Sequence, residues 1–370
     1  MVYDVVVVGA GPVGCRVAEL IAKKGLKVAL IDKKKEIGQP TQCTGLVSYR
    51  LKSVIVDLPD NVIMNTVKRA KFFSTLSSFE LKSEKPFYVI DREKLDNFMF
   101  LRARRAGADV GTPVLFKDFV KKERLDEKTN EYLMVSTSAG KMQTKILVGA
   151  DGPLSAVATK TGLQRPANMI TGAQMTVDAK DKFDPKAVEL FFSSTISPDF
   201  FGWVVPLSPD TARVGVAAKR GATTYLKRLV EKRTGGVVKS SAVKPDVAGR
   251  INFGLMQRTS AERVMIVGDA AAHVKPFSGG GIVYGLLGAG YCANACIRAV
   301  KENDFSAEFF EREYDRKWKS HLAGPIRRGM FYRKALTGLN GELSDIRTNI
   351  IFGLGKYLKF ILERFDVDLL

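Results

Sequence analysis

Sulfur and imidazole are scarce in this chain, whose 370 residues include four cysteines and two histidines. Cys15, Cys43, Cys292 and Cys296 have neither the paired spacing of a disulfide framework nor that of a zinc site. A disulfide-stapled secreted scaffold is therefore excluded, a reducing compartment is expected, and no metal site is expected. Long apolar runs are missing as well. The most hydrophobic stretch, Gly281 to Ile297, contains four glycines and Asn294 and falls short of the ~20 residues that a spanning helix needs, so it reads as a buried helix. No charged leader with a cleavage site precedes the first apolar run, and a cytoplasmic protein is expected. Internal repeats and low-complexity segments are absent. Acidic residues are also in short supply: 39 carboxylates face 58 lysines and arginines, a net charge of +19. Such a balance favours an anionic partner, and composition does not choose among nucleic acid, a membrane surface and a phosphorylated substrate.

What is present belongs to a folded protein. Hydrophobic residues at 45% and charged residues at 26% exclude an intrinsically disordered chain. The length suits two lobes, or a nucleotide-binding lobe interrupted by a second one.

Val5 to Val8 is a continuous β-branched run of the kind a strand buried on both faces requires. It leads into Gly9-x-Gly11-x-x-Gly14, a helical pattern to Lys24, and a second apolar strand from Lys27 to Ile31, which together predict a βαβ unit. The glycines let the backbone approach a pyrophosphate at the helix N-terminus, and Asp32 at the end of the second strand can take ribose hydroxyls. Asp91 caps a predicted helix that carries Leu95, Phe98, Met99 and Leu101. From Thr112 to Val148 alternating segments with turns at Asp126–Asn130 and Ala139–Gly140 predict a small antiparallel sheet that interrupts the parallel one. Ala187–Phe192, Phe201–Pro206 and Ala212–Ala217 predict strands of a second lobe, and Val264–Val267 resumes the first. The expected division is a discontinuous nucleotide-binding domain (1–59, 89–160 and 252–305), a substrate domain (60–88 and 161–251) and a helical C-terminal region (306–370).

The fingerprint does not separate NAD from FAD, since both share the adenosine diphosphate half. Two later segments do: Ile146-Leu-Val-Gly-Ala-Asp151-Gly152, and Val267-Gly-Asp269 running on to Gly279-Gly280-Gly281-Ile282. The second can deliver a carboxylate to a ribityl hydroxyl and aim a helix N-terminus at a flavin ring. Together they resemble the flavoprotein superfamily of aromatic hydroxylases and geranylgeranyl reductases. Pro198-Asp-Phe-Phe201-Gly-Trp203-Val-Val205-Pro206 followed by Val214-Gly215 is similar to the geranylgeranyl reductase pattern, and Gln39 to Gly45 resembles the cysteine-glycine segment of that family. The similarity runs from Met1 to about residue 300. Phe201 stands where the family prefers tyrosine, Val205 where it has phenylalanine, and Leu46 where it has a second glycine.

The resemblance implies an α/β fold: a Rossmann-type FAD-binding domain of the aromatic-hydroxylase and glutathione-reductase kind, with an inserted antiparallel substrate domain and a helical C-terminus. It implies flavin contacts from Gly9, Gly11, Pro12, Val13 and Gly14, from Asp32 and Lys33, and from Cys43, Thr44 and Gly45. Arg92 and Val114, Asp151 and Gly152, and Asp269, Gly280, Gly281 and Ile282 complete that set. Phe201, Trp203 and Pro206 are expected to wall an apolar substrate tunnel, and Cys43 to lie closest to the reacting alkene. The expected activity is saturation of isoprenoid double bonds in geranylgeranyl chains of an archaeal ether-lipid precursor, by hydride from reduced flavin plus a proton. No second dinucleotide fingerprint appears, so an external donor, ferredoxin or NAD(P)H, is implied.

The basic surface and the C-terminal residues Arg327, Arg328, Arg333 and Lys334, among Phe331, Tyr332 and Leu336, predict peripheral association with an anionic membrane; nucleic acid is not an expected partner. A monooxygenase acting on aromatic compounds shares the fold, and a flavin-free prenyl carrier is a rival of another class. His273 is expected at a helix end or on the surface, outside the catalytic set.

Overall fold

The computed structural model describes residues 2–41, 43–122, 131–164, 166–239, 242–337 and 342–364, with side chains of the last helix as far as Gly355. The expected turn at Asp126–Asn130 lies outside the described residues, as does Gln42. The described residues form two eight-stranded sheets. The first contains β1 (Val2–Val8), β2 (Val28–Ile31), β6 (Asp109–Gly111), β7 (Phe116–Lys122), β8 (Tyr132–Thr137), β9 (Gly140–Gly149), β15 (Ser260–Ala261) and β16 (Val264–Ile266), numbered along the chain. Its centre is parallel, with β1 between β2 and β9, β6 beyond β2, and β16 beyond β9. Val5 and Val7 enter the core on one side of β1, and Val6 and Val8 on the other. A strand buried on both faces has no position left for a polar residue, which is why valine fills all four.

The antiparallel strands β7 and β8 do not interrupt this sheet, contrary to expectation. They continue it through β9, whose Gly140–Thr144 half pairs with β8 while its Leu147–Gly149 half pairs with β16. One long strand thus serves two neighbours along the same edge.

The second sheet contains β3 (Leu46–Ser48), β4 (Ile63–Phe73), β5 (Ser78–Ile90), β10 (Asn168–Asp178), β11 (Ala187–Phe191), β12 (Gly202–Pro206), β13 (Thr211–Ala218) and β14 (Val247–Phe253). The order is β14-β10-β13-β12-β11-β4-β5-β3, antiparallel except where β4 meets β11. β3, expected with the nucleotide unit, pairs with β5, so the chain joins the second sheet directly after Gly45.

Helices α1 (Pro12–Ala22), α2 (Arg50–Val54), α3 (Arg92–Arg105) and α6 (Ile282–Glu302) share the core on one side of the first sheet, and α4 (Ala156–Thr161) packs on the other. Asp91 caps α3 as expected, accepting from the Lys94 N–H at 3.1 Å. Leu95 and Met99 point inward, whereas Leu101 faces water. One face of the second sheet is covered by α5 (Ala222–Thr234) through Leu226, Leu229 and Val230.

The C-terminal region, α7 (Ala307–Phe310), a π-helical turn at Glu311–Asp315, α8 (Arg316–Thr337) and α9 (Glu342–Arg364), folds back over both sheets. Buried Asp315 anchors it by accepting from the Thr259 N–H at 3.0 Å, the Ser260 hydroxyl at 2.6 Å and the Thr259 hydroxyl. Farther along, Trp318 and Ile326 enter the first core, while Met330, Leu336 and Phe352 pack on the second sheet.

Candidate active site

The fingerprint glycines have separate physical reasons. Gly9 has φ +106°, and a Cβ on it would lie 2.3 Å from the Ala150 carbonyl oxygen; one on Gly14 would lie 1.9 Å from the Gly9 oxygen. Both are demanded by the packing of β1, α1 and the turn after β9. A Cβ on Gly11 would meet nothing within 4 Å. The protein has no steric need of glycine there, so the open space fits a group from outside the chain. The N-terminus of α1 carries Pro12 and no side-chain cap, which leaves its positive end for an anion. Asp32 closes the turn, accepting from the Ala10 N–H at 2.7 Å and the Lys34 N–H at 2.8 Å. Its carbonyl accepts from the Val114 N–H at 2.7 Å, while Lys33 is exposed. Val13 lies under Gly268 and Gly285, where a Cβ would come within 3.2 and 2.6 Å of its methyl carbons. The first turn is thereby locked to the segment that carries Asp269.

The two later aspartates differ. Asp151 accepts from the Ser155 hydroxyl at 2.6 Å and from the N–H groups of Ala156 and Val157 at 2.7 and 3.2 Å, so both its oxygens serve the start of α4. Burial lifts its carboxyl above the ordinary value, and those donors oppose the rise. Asp269 is half-buried, and among the described residues no donor reaches its carboxylate. Burial pushes its carboxyl up, and the Arg92 guanidinium opposes this. A Cβ on Gly281 would lie 2.7 Å from its Oδ1, so glycine is required where α6 begins at Ile282 beside that carboxylate. Gly279 has φ +73°, and the Lys275 N–H is held by the Gly280 carbonyl at 3.0 Å, which closes the loop before the helix. Gly152, at φ +80°, borders open space.

Arg92 ties these parts together. It grips Asp96 through Nε at 3.2 Å and Nη2 at 3.0 Å. Burial works against its charge, but the neighbouring Asp96 carboxylate and Cys43 sulfur outweigh that and hold the guanidinium above its ordinary value. Its side chain therefore faces Asp96, Cys43 and Asp269 together. The Cys43 sulfur accepts from the Gly45 N–H at 3.3 Å.

Arg213 was not singled out by the sequence. From β13 it donates through Nη1 to the carbonyls of Thr44 at 2.6 Å and Ile90 at 3.0 Å. Gly45, at φ +80°, is pressed between the Ile90 carbonyl and this guanidinium. Burial lowers the Arg213 pKa, opposed by Cys43 and Asp91. One substrate-sheet cation thus fixes the loop that carries Cys43. A charge inside the apolar run Ala212–Ala218 was the available signal.

Phe201 and Trp203 lie on one face of the second sheet with Val205, in a cluster that includes Phe192, Phe200, Phe253 and Phe352 and, at its margin, Leu46 and Phe277. Trp203 donates from Nε1 to the Gln174 Oε1 at 3.1 Å. The rings touch, with centroids 4.0 Å apart for Phe200 and Phe201 and 5.3 Å for Phe192 and Phe201, which makes this side of the sheet a continuous aromatic face. By the alternation of β12, Pro206 falls with Val204 on the opposite side; its carbonyl accepts from Asn65 at 2.9 Å.

Two expectations are corrected. His273 stands just past the helical turn Gly268–Ala271, at a helix end as one alternative had it, but is fully buried between Gly288 and Trp318 rather than at a surface, and burial lowers its pKa to about 3. Arg333, expected among the surface cations, is buried over the Phe200 and Phe253 rings. It donates to the Asp199 carbonyl at 2.8 Å and the Pro276 carbonyl at 3.3 Å, and burial lowers its pKa to about 10.

Residues 2–301 match the family described as FAD binding domain. The chain belongs to that family. FAD is its cofactor. Among curated proteins, it is 30% identical over 359 residues to digeranylgeranylglycerophospholipid reductase 2 of Methanothermobacter thermautotrophicus, covering 93% of this chain and 90% of that one. It is 32% identical to digeranylgeranylglycerophospholipid reductase 1 of Methanopyrus kandleri, covering 87% of each. The fold resembles the crystal structure of a geranylgeranyl bacteriochlorophyll reductase-like protein from Thermoplasma acidophilum, with a TM-score of 0.82 and 24% identity over 100% of this chain and 94% of that one. A flavin-dependent brominase shares the fold with a TM-score of 0.73 and 16% identity, covering 98% of this chain and 93% of the other.

Proposed function

We propose that the protein is an FAD-dependent reductase that saturates isoprenoid double bonds in geranylgeranyl chains, those of a digeranylgeranylglycerophospholipid-type ether-lipid precursor. The observation that carries this reading is that Leu46, next to the Cys43 loop, and Phe277, next to the glycine run before α6, belong to the same apolar cluster as Phe201 and Trp203. An apolar chain lying on that face has its double bonds beside the cofactor loops. The names of the curated relatives support the substrate class.

Reduced FAD supplies the hydride. The glycine turn before α1 would receive the pyrophosphate, and the free Asp269 carboxylate a hydroxyl of the cofactor, with the N-terminus of α6 facing the ring. An isolated trisubstituted alkene is not polarised, so a proton has to reach it as well, and the Cys43 thiol is the residue proposed to hold that proton. Once the proton has gone, the Gly45 N–H and the Arg92 guanidinium face the sulfur, and Arg213 keeps its loop in place. The aromatic face excludes water, and its rings must part to admit a chain. An external donor, ferredoxin or NAD(P)H, would restore the reduced flavin, and the protein would work at a membrane surface.

The test is anaerobic. Dithionite-reduced protein is mixed with the unsaturated lipid, flavin reoxidation is followed by absorbance, and products are weighed for one added hydrogen pair per saturated bond. Cys43→Ala is expected to keep its flavin and its reduction by dithionite while lipid-driven reoxidation slows on the order of a hundredfold, the usual contribution of a positioned acid. No reoxidation by lipid in the wild type, together with oxygen uptake coupled to NAD(P)H oxidation in a parallel aerated sample, would replace the reading with a monooxygenase. An unchanged rate in Cys43→Ala would leave the reductase in place and remove Cys43 as the acid.

A further inference from the structure

We infer that α8 and α9 form the face with which the protein lies on an anionic phospholipid surface, α9 resting among the headgroups and acyl chains. The inference rests on the reading that the substrate is a membrane lipid.

Arg316–Thr337 contains seven lysines and arginines and no carboxylate. The cations of its first turns are spent within the protein: Arg316 on Glu311, Lys317 on Glu313, and Lys319 on the Gln257 carbonyl. Arg333 is turned inward. Arg327, Arg328 and Lys334 remain exposed, beside the exposed rings of Phe331 and Tyr332. Positions 327, 328, 331 and 332 fall on one helix face, so this end of α8 presents cations and aromatic rings together, the combination suited to a charged apolar boundary.

α9 packs against α8 and β5 and is apolar on two sides. Its inner side sets Thr348 and Phe352 into the protein and Gly355 against Phe79, and its aspartate, Asp345, is consumed by the N–H and hydroxyl of Ser194, each at 2.7 Å. Its outer side carries Leu343, Ile346, Ile350 and Leu354 at helical spacing, between 55% and 64% exposed. A stripe of aliphatic side chains facing water on a helix whose other face is already packed requires a cover.

Arg347 adds an independent observation. It lies between those two sides of the helix, and its Nε and Nη2 are out of solvent with no acceptor among the described residues. Shielded donors without an acceptor are costly, and a small outward swing of this side chain would bring them to a lipid phosphate at the rim of the apolar stripe. A second copy of the chain is a poor cover, because a two-fold contact would set Arg327, Arg328 and Lys334 against their own copies in a protein of net charge +19. No helix among the described residues is long and apolar enough to cross a membrane, so the contact is one of lying on the surface. The inner side of α9 rests on the aromatic face proposed for the prenyl chain, which puts this helix between lipid and site.

The experiment uses the full flavin-loaded chain, vesicles of neutral phosphatidylcholine, and vesicles in which part is replaced by phosphatidylglycerol. Wild type should sediment with anionic vesicles and be released by salt. The pair Ile350→Ser and Leu354→Ser should weaken that binding at least tenfold. The pair Arg327→Gln and Arg328→Gln should leave a weak binding that no longer responds to salt. Both variants should keep their flavin and reduce detergent-dispersed lipid as wild type does. Wild type that reduces dispersed lipid but ignores vesicles, or a serine pair that binds like wild type, overturns the inference and leaves the reductase reading intact. A wild-type dimer in sedimentation that the serine pair dissolves reassigns the stripe to a second copy and also overturns it. Failure of wild type to reduce dispersed lipid strikes the functional reading instead.

Discussion

Three glycines spaced as Gly9, Gly11 and Gly14 look equivalent in a sequence and are not equivalent in the fold. Gly9 and Gly14 touch backbone, whereas Gly11 borders open space. Gly14→Val should therefore prevent folding. Gly11→Val should leave a folded protein, with the circular dichroism and cooperative unfolding of wild type, that purifies without colour because its methyl groups fill the approach of the pyrophosphate. Full flavin occupancy in a folded Gly11→Val variant would contradict the cofactor assignment. The two aspartates separate in the same manner, Asp151 committed to protein donors and Asp269 free of them. A sequence shows two strands ending in Asp and cannot show which carboxylate has been used.

At the scale of elements, β12 and β13 lie side by side with Trp203 opposite Gly215. A Cβ on Gly215 would sit 2.3 Å from the indole, so the tryptophan occupies the room that glycine leaves. Gly215→Ala should push Trp203 off the aromatic face, at a cost of about 1–3 kcal/mol for overpacking. Flavin should be retained, the near-ultraviolet signal of the tryptophan altered and lipid turnover reduced; an unchanged signal with unchanged turnover would show that the ring has no such constraint. The βαβ unit, the Asp91 cap, the strands of the second lobe and the buried α6 were legible because their signals are local: a valine run, a glycine spacing, an alternation. The fork in β9 was not, since pairing two neighbours along one edge leaves no periodic trace. Arg213 and Arg333 escaped for a related reason, their acceptors lying 169 and 123 residues away for the first and 134 and 57 for the second. The aromatic face gathers Phe192, Phe277 and Phe352 from three distant segments, and only Phe201 and Trp203 carried a pattern.

The whole molecule is held together where the helical C-terminus closes on the flavin lobe, and His273 sits at that closure. Its ring lies 4.5 Å from that of Trp318 on α8, fills the hollow left by Gly288 on α6, and accepts at Nδ1 from the Gly268 N–H at 3.4 Å, while Nε2 has no partner among the described residues. Burial lowers its pKa to about 3, against about 6.5 in an unfolded chain. The unfolded state therefore takes up a proton that the folded state refuses, and stability must fall as acid is added. The contribution is complete above about pH 6.5 and is lost progressively down to about pH 3, with a slope of at most about 1.4 kcal/mol per pH unit. Carboxylates paired in the fold add their own losses at the acid end of that window, so the slope between pH 6 and 5 belongs chiefly to the histidine. Urea unfolding of wild type and His273→Asn at intervals from pH 7 to pH 4 should show an offset from the smaller side chain at every pH. Above that offset, the variant should have a shallower pH dependence, lower by the uptake of one proton. Parallel curves for the two proteins would mean that His273 takes up its proton in the fold as readily as in the unfolded chain, with water or an anion reaching Nε2 at the junction of α6 and α8.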